Sequence, residues 1–188
     1  MTKPSDELLK RAYAQDASIY QETPQDVAFP ASAEEVVALV KSGKPLIPRA
    51  AGTSLAGQVV GDGTVLDTGR HMNAIVHINL EERWAEVQPG VVRDELNHHL
   101  MEHGLFFGPN TSTSNRCMMG GMVGNNSSGS TSISYGTTRE KLLGLELVTA
   151  DGVLRAMGDI QSDGMREIPS AVEDWMTLWS EAWSTQNL

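Results

Sequence analysis

Residues 108–136 read GPNTSTSNRCMMGGMVGNNSSGSTSISYG, and this stretch constrains the chain more than any other. It is rich in Gly, Ser, Thr and Asn and poor in charge, the composition of a solvated, flexible linker. Yet Cys117, Met118, Met119, Met122 and Val123 sit in its middle, and a flexible linker has no reason to expose them. Glycines at 120, 121, 124 and 129 permit backbone approaches that a Cβ would block. The flanking hydroxyls and amides are neutral hydrogen-bonding groups. Together they suggest a wall against which a flat, polar-edged ligand is laid. The plainer alternative is an ordered Gly-rich surface loop.

The bulk of the sequence is that of a packed domain. Of 188 residues, 40% are hydrophobic and 20% charged, which favours a core over disorder. The formal net charge of −10 argues against a nucleic-acid or anionic-membrane surface. An anionic ligand would therefore have to be held by backbone N–H groups and a few local cations. The one cysteine, Cys117, excludes an intrachain disulfide framework and a Cys-rich metal site. The first twenty residues lack the apolar core of a signal peptide, and no window approaches the length of a membrane span. The expectation is a cytoplasmic protein.

Hydrophobic spacing then divides the chain into elements. Leu8, Leu9, Ala12 and Tyr13 predict a short helix within 5–20, followed by an extended connection over 21–30. Ser32 and Glu35 form a capping-box pattern ahead of a helix face of Val36, Val37, Leu39 and Val40, which stops at Gly43. Strands are expected at 45–48 and 64–67. A hairpin is expected from 74–80, with Val76, Ile78 and Leu80 on one face, and 83–87. Val92, Leu96 and Leu100 mark a helix closing near Gly104, with a short strand at 105–107. A second hairpin, 141–149 with 153–156, turns at Asp151-Gly152. Beyond it, 169–183 reads as an amphipathic helix carrying Trp175, Leu178, Trp179 and Trp183.

Among the chemical motifs, Pro48 to Gly57 (PRAAGTSLAG) is a strand opening into a turn of small residues. Consecutive N–H groups in such a turn can cradle phosphate oxygens. It is not a P-loop, since Gln58-Val59 stands where Lys-Ser/Thr would follow, nor a dinucleotide-binding Gly-x-Gly-x-x-Gly. Taken alone, an ordinary turn remains open. His99 and His103, four apart on a helix, suggest zinc only superficially, because Leu100 stands where a metalloprotease needs Glu. Cys117 has no activating base nearby in sequence and reads as a packed small residue. No Ser-His-Asp arrangement can be argued. Chemistry supplied by a bound cofactor fits this inventory better than catalysis by side chains.

The two small-residue loops, in this order and at this separation, resemble the N-terminal FAD-binding region of the vanillyl-alcohol oxidase/p-cresol methylhydroxylase superfamily. The resemblance is greatest to its D-lactate, glycolate and D-2-hydroxyglutarate dehydrogenase branch. It rests on PLIPRAAGTSLAG (45–57), EVQPGVVRDELN (86–97), GPNTSTSNRCMMGGMVGNNSSG (108–129), YGTTREKLLGLELV (135–148) and ADG (150–152). It implies an α+β, two-lobed FAD-binding domain, here truncated. The expected organisation is an N-terminal helical extension over 1–23, a first FAD-binding lobe over 24–85, a second over 86–160, and a helical tail over 161–188 that begins a missing portion.

By the same resemblance, Ala51, Gly52, Thr53, Ser54 and Leu55 wrap the FAD pyrophosphate, with help from Arg49, and Pro89-Gly90 approaches the cofactor. Pro109, Ser112, Thr113, Gly120, Gly121, Gly124, Asn125, Ser128 and Gly129 would line the flavin and its ribityl–pyrophosphate arm, and Tyr135-Gly136 would close the site. Members that attach FAD covalently through the first loop have His where this chain has Thr53, so non-covalent FAD is expected. Intact relatives oxidise a small D-2-hydroxy acid, and some could be peripheral to the inner membrane. This chain is expected to lack the substrate-binding and catalytic half, so no catalytic or metal-binding residue is assigned. Two alternatives remain open. One is a different enzyme on the same scaffold, an NADPH-dependent reductase or a molybdenum-hydroxylase flavin subunit. The other is a non-catalytic flavin-binding or assembly module, whose Trp-rich tail meets a partner chain or a missing domain.

Overall fold

The computed structural model describes residues 4–158. The chain forms two compact units that divide between Lys141 and Leu142. The lobe boundary expected at 85/86 lies inside the first of them. The Trp-rich helix expected at 169–183 falls outside the described residues.

The first unit opens with helix α1, Pro4–Ala12, shorter than the 5–20 window in which a helix was expected. Strand β1, Asp26–Ala28, lies within the segment expected to be only an extended connection. It is followed by helix α2, Ala33–Lys41, and strands β2, Leu46–Arg49, and β3, Thr64–Asp67. All three strands are parallel, in the order β1-β3-β2. A central parallel strand is covered on both sides, and β3 is a continuous run whose Thr64, Val65 and Leu66 are all buried. Pro48, which cannot donate to a ladder, falls on β2 at the sheet edge. Ser32 caps α2 as expected, its hydroxyl accepting from the Glu35 N–H at 3.4 Å. The return bond differs: the Glu35 carboxylate accepts from the Ala31 N–H rather than that of Ser32.

Strands β4, Ile75–Asn79, and β5, Trp84–Val87, form the expected hairpin, but its faces correct the alternation. A register shift between Ile75 and His77 turns Ile75 and Ile78 toward the core and leaves Val76 and Leu80 exposed. Helix α3, Arg93–Met101, buries Leu96 and Leu100, and Gly104 ends the turn after it with φ 68°. The core of this unit joins Val91, Leu96, Leu100, Cys117, Met119 and Met122, with Ile75, Ile78, Ala85, Val87, Leu105 and Phe107 packed around it. Cys117, Met119 and Met122 of the Gly-rich stretch are thus core residues, while Met118 is half-buried.

Residues 105–107 are not a strand. The Asn97 side chain instead brackets Phe107, its Oδ1 accepting from the N–H at 2.6 Å and its Nδ2 donating to the carbonyl at 3.3 Å. Side-chain bonds have replaced a ladder. The Gly-rich stretch contains two short helices, α4, Met119–Gly124, and α5, Ser132–Tyr135, and a single 3₁₀ turn follows at Arg139–Lys141.

In the second unit, strands β6, Gly144–Val148, and β7, Leu154–Gly158, pair antiparallel as expected. The turn is fastened by Asp151, whose carboxylate accepts from the Thr149 hydroxyl and forms an ion pair with Arg155 at 2.9 Å. These contacts, the Thr149 hydroxyl first, hold the Asp151 carboxyl below its usual range.

Candidate cofactor-binding site

Strand β2 ends at Arg49, and the chain leaves the sheet into 50–59 without entering another element. Ala51, Gly52, Thr53 and Ser54 are half-buried, and Leu55 is 79% exposed. Gly52 has φ 64°, a left-handed conformation that suits glycine. The backbone N–H groups of Ala51 through Val59 donate to no protein acceptor among the described residues. A run of backbone donors of this length, free of protein acceptors, is a ready cradle for an anion. Arg49 leans back from it. Its guanidinium lies over the Tyr13 ring at 5.2 Å, donates to the Tyr13 carbonyl at 3.5 Å, and flanks Gly52.

The Pro89-Gly90 turn is fixed from two sides. Gly90 donates to the Met72 carbonyl at 2.7 Å, and its Cα faces the 68–72 backbone too closely for any side chain. Pro89 accepts from the Gly120 N–H at 2.8 Å, and Val91 accepts from Met119 at 2.9 Å, so the start of α4 is moored to this turn. A Cβ on Gly120 would stand 2.6 Å from the Cβ of Pro89. The next residue, Gly121, faces Ala50 of the first loop. At the other end of α4, Asn125 accepts from Gln58 Nε2 at 2.8 Å. The first loop, the Pro89-Gly90 turn and α4 are therefore brought together. Open space lies beside Gly124.

The rest of the Gly-rich stretch is braced by α3. Pro109 is fully buried, and its carbonyl accepts from Arg93 Nε at 3.1 Å. Asp94 accepts from the Ser114 hydroxyl at 2.9 Å. Thr113 accepts from the Cys117 N–H at 2.8 Å, while Ser112 is exposed. The N–H groups of Asn110 to Thr113 likewise have no protein acceptor among the described residues. Exposed Ser128 and Gly129 follow α4, with Gly129 backed against the Asn110 carbonyl. Tyr135 and Gly136 sit against a different neighbourhood, where the Tyr135 ring meets Phe106 edge-on at 5.1 Å and covers Gly108. Gly136 has φ 77°, beside Glu140. The Thr137 N–H bonds to Glu140 first of all lower that carboxyl below its usual range.

Sequence reasoning missed the supports: Tyr13, Asp16, Gln58, Arg93 and Asn97. For the α3 pair a signal existed, because Arg93 and Asn97 are four apart and share one face of a helix whose stripe is Leu96 and Leu100. Two open cavities, of about 390 and 400 Å³, lie elsewhere. The first is lined by Asn73, Ile75, Ile78, Val91, Glu95 and His99, the second by Leu80, Arg83, His103, Gly104 and Leu105. None of the expected cofactor residues lines either. Among the described residues no group of three or more His, Cys, Asp or Glu could hold a metal ion, and no helix is long and apolar enough to cross a membrane.

A three-stranded parallel sheet, antiparallel hairpins and short helices define an α+β domain. The chain belongs to the FAD binding domain family, whose sequence model matches residues 24–158. It is 45% identical over 155 residues to a D-2-hydroxyglutarate dehydrogenase of Pseudomonas putida, covering 79% of this chain and 15% of that protein. It is 33% identical to the glycolate oxidase subunit GlcD of Bacillus subtilis over 80% of this chain and 34% of that protein. A solved structure of alkyldihydroxyacetonephosphate synthase superposes with a TM-score of 0.63 at 26% identity, over 71% of this chain and 28% of that one. The chain thus spans only 15% to 34% of the length of these relatives. The fold is the α+β FAD-binding domain of the vanillyl-alcohol oxidase/p-cresol methylhydroxylase type.

Proposed function

We infer that this chain is the cofactor-holding part of a flavin-dependent oxidoreductase that, in its intact form, oxidises a D-2-hydroxy acid with non-covalently bound FAD. The observation that carries the reading is the run of unpaired N–H groups from Ala51 to Val59, set beside the Gly120-Gly121 face of α4. A chain of net charge −10 must hold a diphosphate with neutral donors, and this loop offers them where its one local cation, Arg49, is turned toward Tyr13.

In this reading Ala51 to Leu55 take the pyrophosphate, and Pro89-Gly90 with Gly120 and Gly121 let the cofactor approach the backbone. Pro109, Ser112, Thr113, Gly124, Asn125, Ser128 and Gly129 line the flavin arm, and Tyr135-Gly136 close one side. The expected lobes at 24–85 and 86–160 divide these segments along the chain. FAD supplies hydride acceptance, and the protein's share is positioning, exclusion of water and tuning by hydrogen bonds. Thr53 cannot form a histidyl link, so nothing in the loop tethers the cofactor. The substrate-binding and catalytic groups belong to the remainder of the intact enzyme. The protein is assigned to the cytoplasm.

Fold alone does not choose the reaction, since a synthase shares this architecture. The hydroxy-acid reading draws on relatives named as D-2-hydroxyglutarate dehydrogenases at 38% to 45% identity. The test is reduction of the FAD-loaded intact protein by D-2-hydroxyglutarate, D-lactate, glycolate or NADPH in separate anaerobic titrations. Bleaching by a hydroxy acid alone supports the reading, and bleaching by NADPH alone assigns the scaffold to a reductase.

A further inference from the structure

The segment following α1 runs beside the first loop and touches it three times in the same order. The Tyr13 hydroxyl donates to Asp67 Oδ2 at 2.5 Å, while its ring and carbonyl hold Arg49 at the head of the loop. Asp16 Oδ2 accepts from the Ser54 hydroxyl at 2.5 Å, in the middle of the loop. The Tyr20 ring lies over Gly57, where a Cβ would stand 2.7 Å from Tyr20 Cδ2. The segment is braced internally: Ser18 donates its N–H to Asp16 Oδ1 at 2.8 Å, Glu22 donates to the Ala14 carbonyl at 2.8 Å, and Ala14 is buried. All of these strap residues precede the family match, which begins at residue 24.

We propose that Asp16 is a positioning residue for the cofactor loop, holding Ser54 by its hydroxyl so that the unpaired N–H groups of 51–59 stay aimed at the bound diphosphate. This rests on the reading that the loop holds FAD. The Ser54 proton is spent on Asp16, so the Ser54 side chain acts through the loop's shape rather than by donating to phosphate. A carboxylate near a diphosphate costs affinity by like-charge repulsion, whereas a loop whose one internal backbone bond is at its far end, from Val60 to Gly57, loses affinity when its central anchor goes. Substitutions separate the two effects. Asn at position 16 removes the charge and keeps both contacts: its carbonyl accepts from Ser18 and its amide donates to Ser54, whose own proton is then freed. Ala removes everything.

The experiment measures two things on the full chain: backbone order parameters of Thr53–Leu55 in the apo protein, and the FAD dissociation constant from flavin fluorescence. Asp16→Ala lowers the order parameters and weakens FAD by about tenfold, the scale of one lost hydrogen bond to a charged group. Asp16→Asn restores order and brings FAD affinity to the wild-type value or tighter. Ser54→Ala matches Asp16→Ala, and the double variant is no weaker than either. Unchanged loop order in Asp16→Ala, or additive losses in the double variant, overturns the proposal. If the wild-type chain takes no FAD, the cofactor reading fails by itself, and the order parameters still decide whether Asp16 sets the loop.

Discussion

Gly121 and Ala50 face each other so closely that a Cβ on the glycine would stand 3.1 Å from the Cβ of the alanine. This is where α4 meets the loop leaving β2. Gly121→Val puts a branched side chain into that contact, and the loop rather than the core must yield. We predict a stability loss of about 1 kcal/mol, at the lower end for an overpacked site, together with a larger proportional loss of FAD affinity. Urea unfolding and flavin fluorescence on the same preparation measure both. Equal FAD affinity in the variant would remove α4 from the cofactor account.

Gly90 presents a harder limit. A Cβ there would lie 2.7 Å from the Gly69 Cα, the Thr68 carbonyl oxygen and the Met72 carbonyl oxygen. All three are backbone atoms, and Gly90 itself donates to Met72. Gly90→Ala is expected to cost about 3 kcal/mol or more, in the range of strained core substitutions. Its urea midpoint should fall well below that of Gly121→Val.

Asn97 stands in for a missing strand partner. Asn97→Ala leaves the half-buried N–H of Phe107 without its acceptor, while Arg93 Nη2 still donates to the Phe107 carbonyl at 3.2 Å. The expected loss is about 1–2 kcal/mol, set by one unsatisfied donor. A thermal melt measures it, and an unchanged melting temperature would contradict the bracing role given to α3.

Tyr13 makes stability depend on alkaline pH. Burial first, and then the bond to Asp67, push its phenol up to about 12 from 10.0. The folded state therefore keeps the proton to higher pH than the unfolded chain. The stabilisation is fully present below pH 10 and is lost as pH rises through about 12. Tyr13→Phe should be less stable than wild type by about 1 kcal/mol at neutral pH, with the gap closing across that window. Denaturant midpoints at pH 8, 10 and 12 check this; a constant gap would count against it.

The sequence made the elements built on apolar spacing legible: α2 with its Ser32 cap, β3, both hairpins, and the Leu96-Leu100 stripe of α3. Periodicity reports which face turns inward. It held for the buried β3 and α3 stripe as well as for α2 and the second hairpin, whose inward faces are only half-buried. It failed where side chains or irregular geometry took over from the repeat. The register shift at Ile75–His77 put Ile75 beside Ile78 on the core side of β4 in place of strict alternation, and Asn97 replaced a ladder at Phe107. Helix α4 was hidden because three of its six residues are glycine, after proline the least favourable residue in a helix interior. Its stability comes from Met119 and Met122 in the core and from the carbonyls of Pro89 and Val91. The 50–59 loop was legible as a small-residue turn, but its unpaired donors and its contacts with Tyr13, Asp16 and Tyr20 required coordinates.

FAD titration of the purified chain, followed by acid precipitation, tests the central claim most directly. The account predicts saturable quenching of flavin fluorescence at one FAD per chain and recovery of all the flavin in the acid supernatant. A chain that takes up no flavin, or flavin that stays with the pellet, would contradict it.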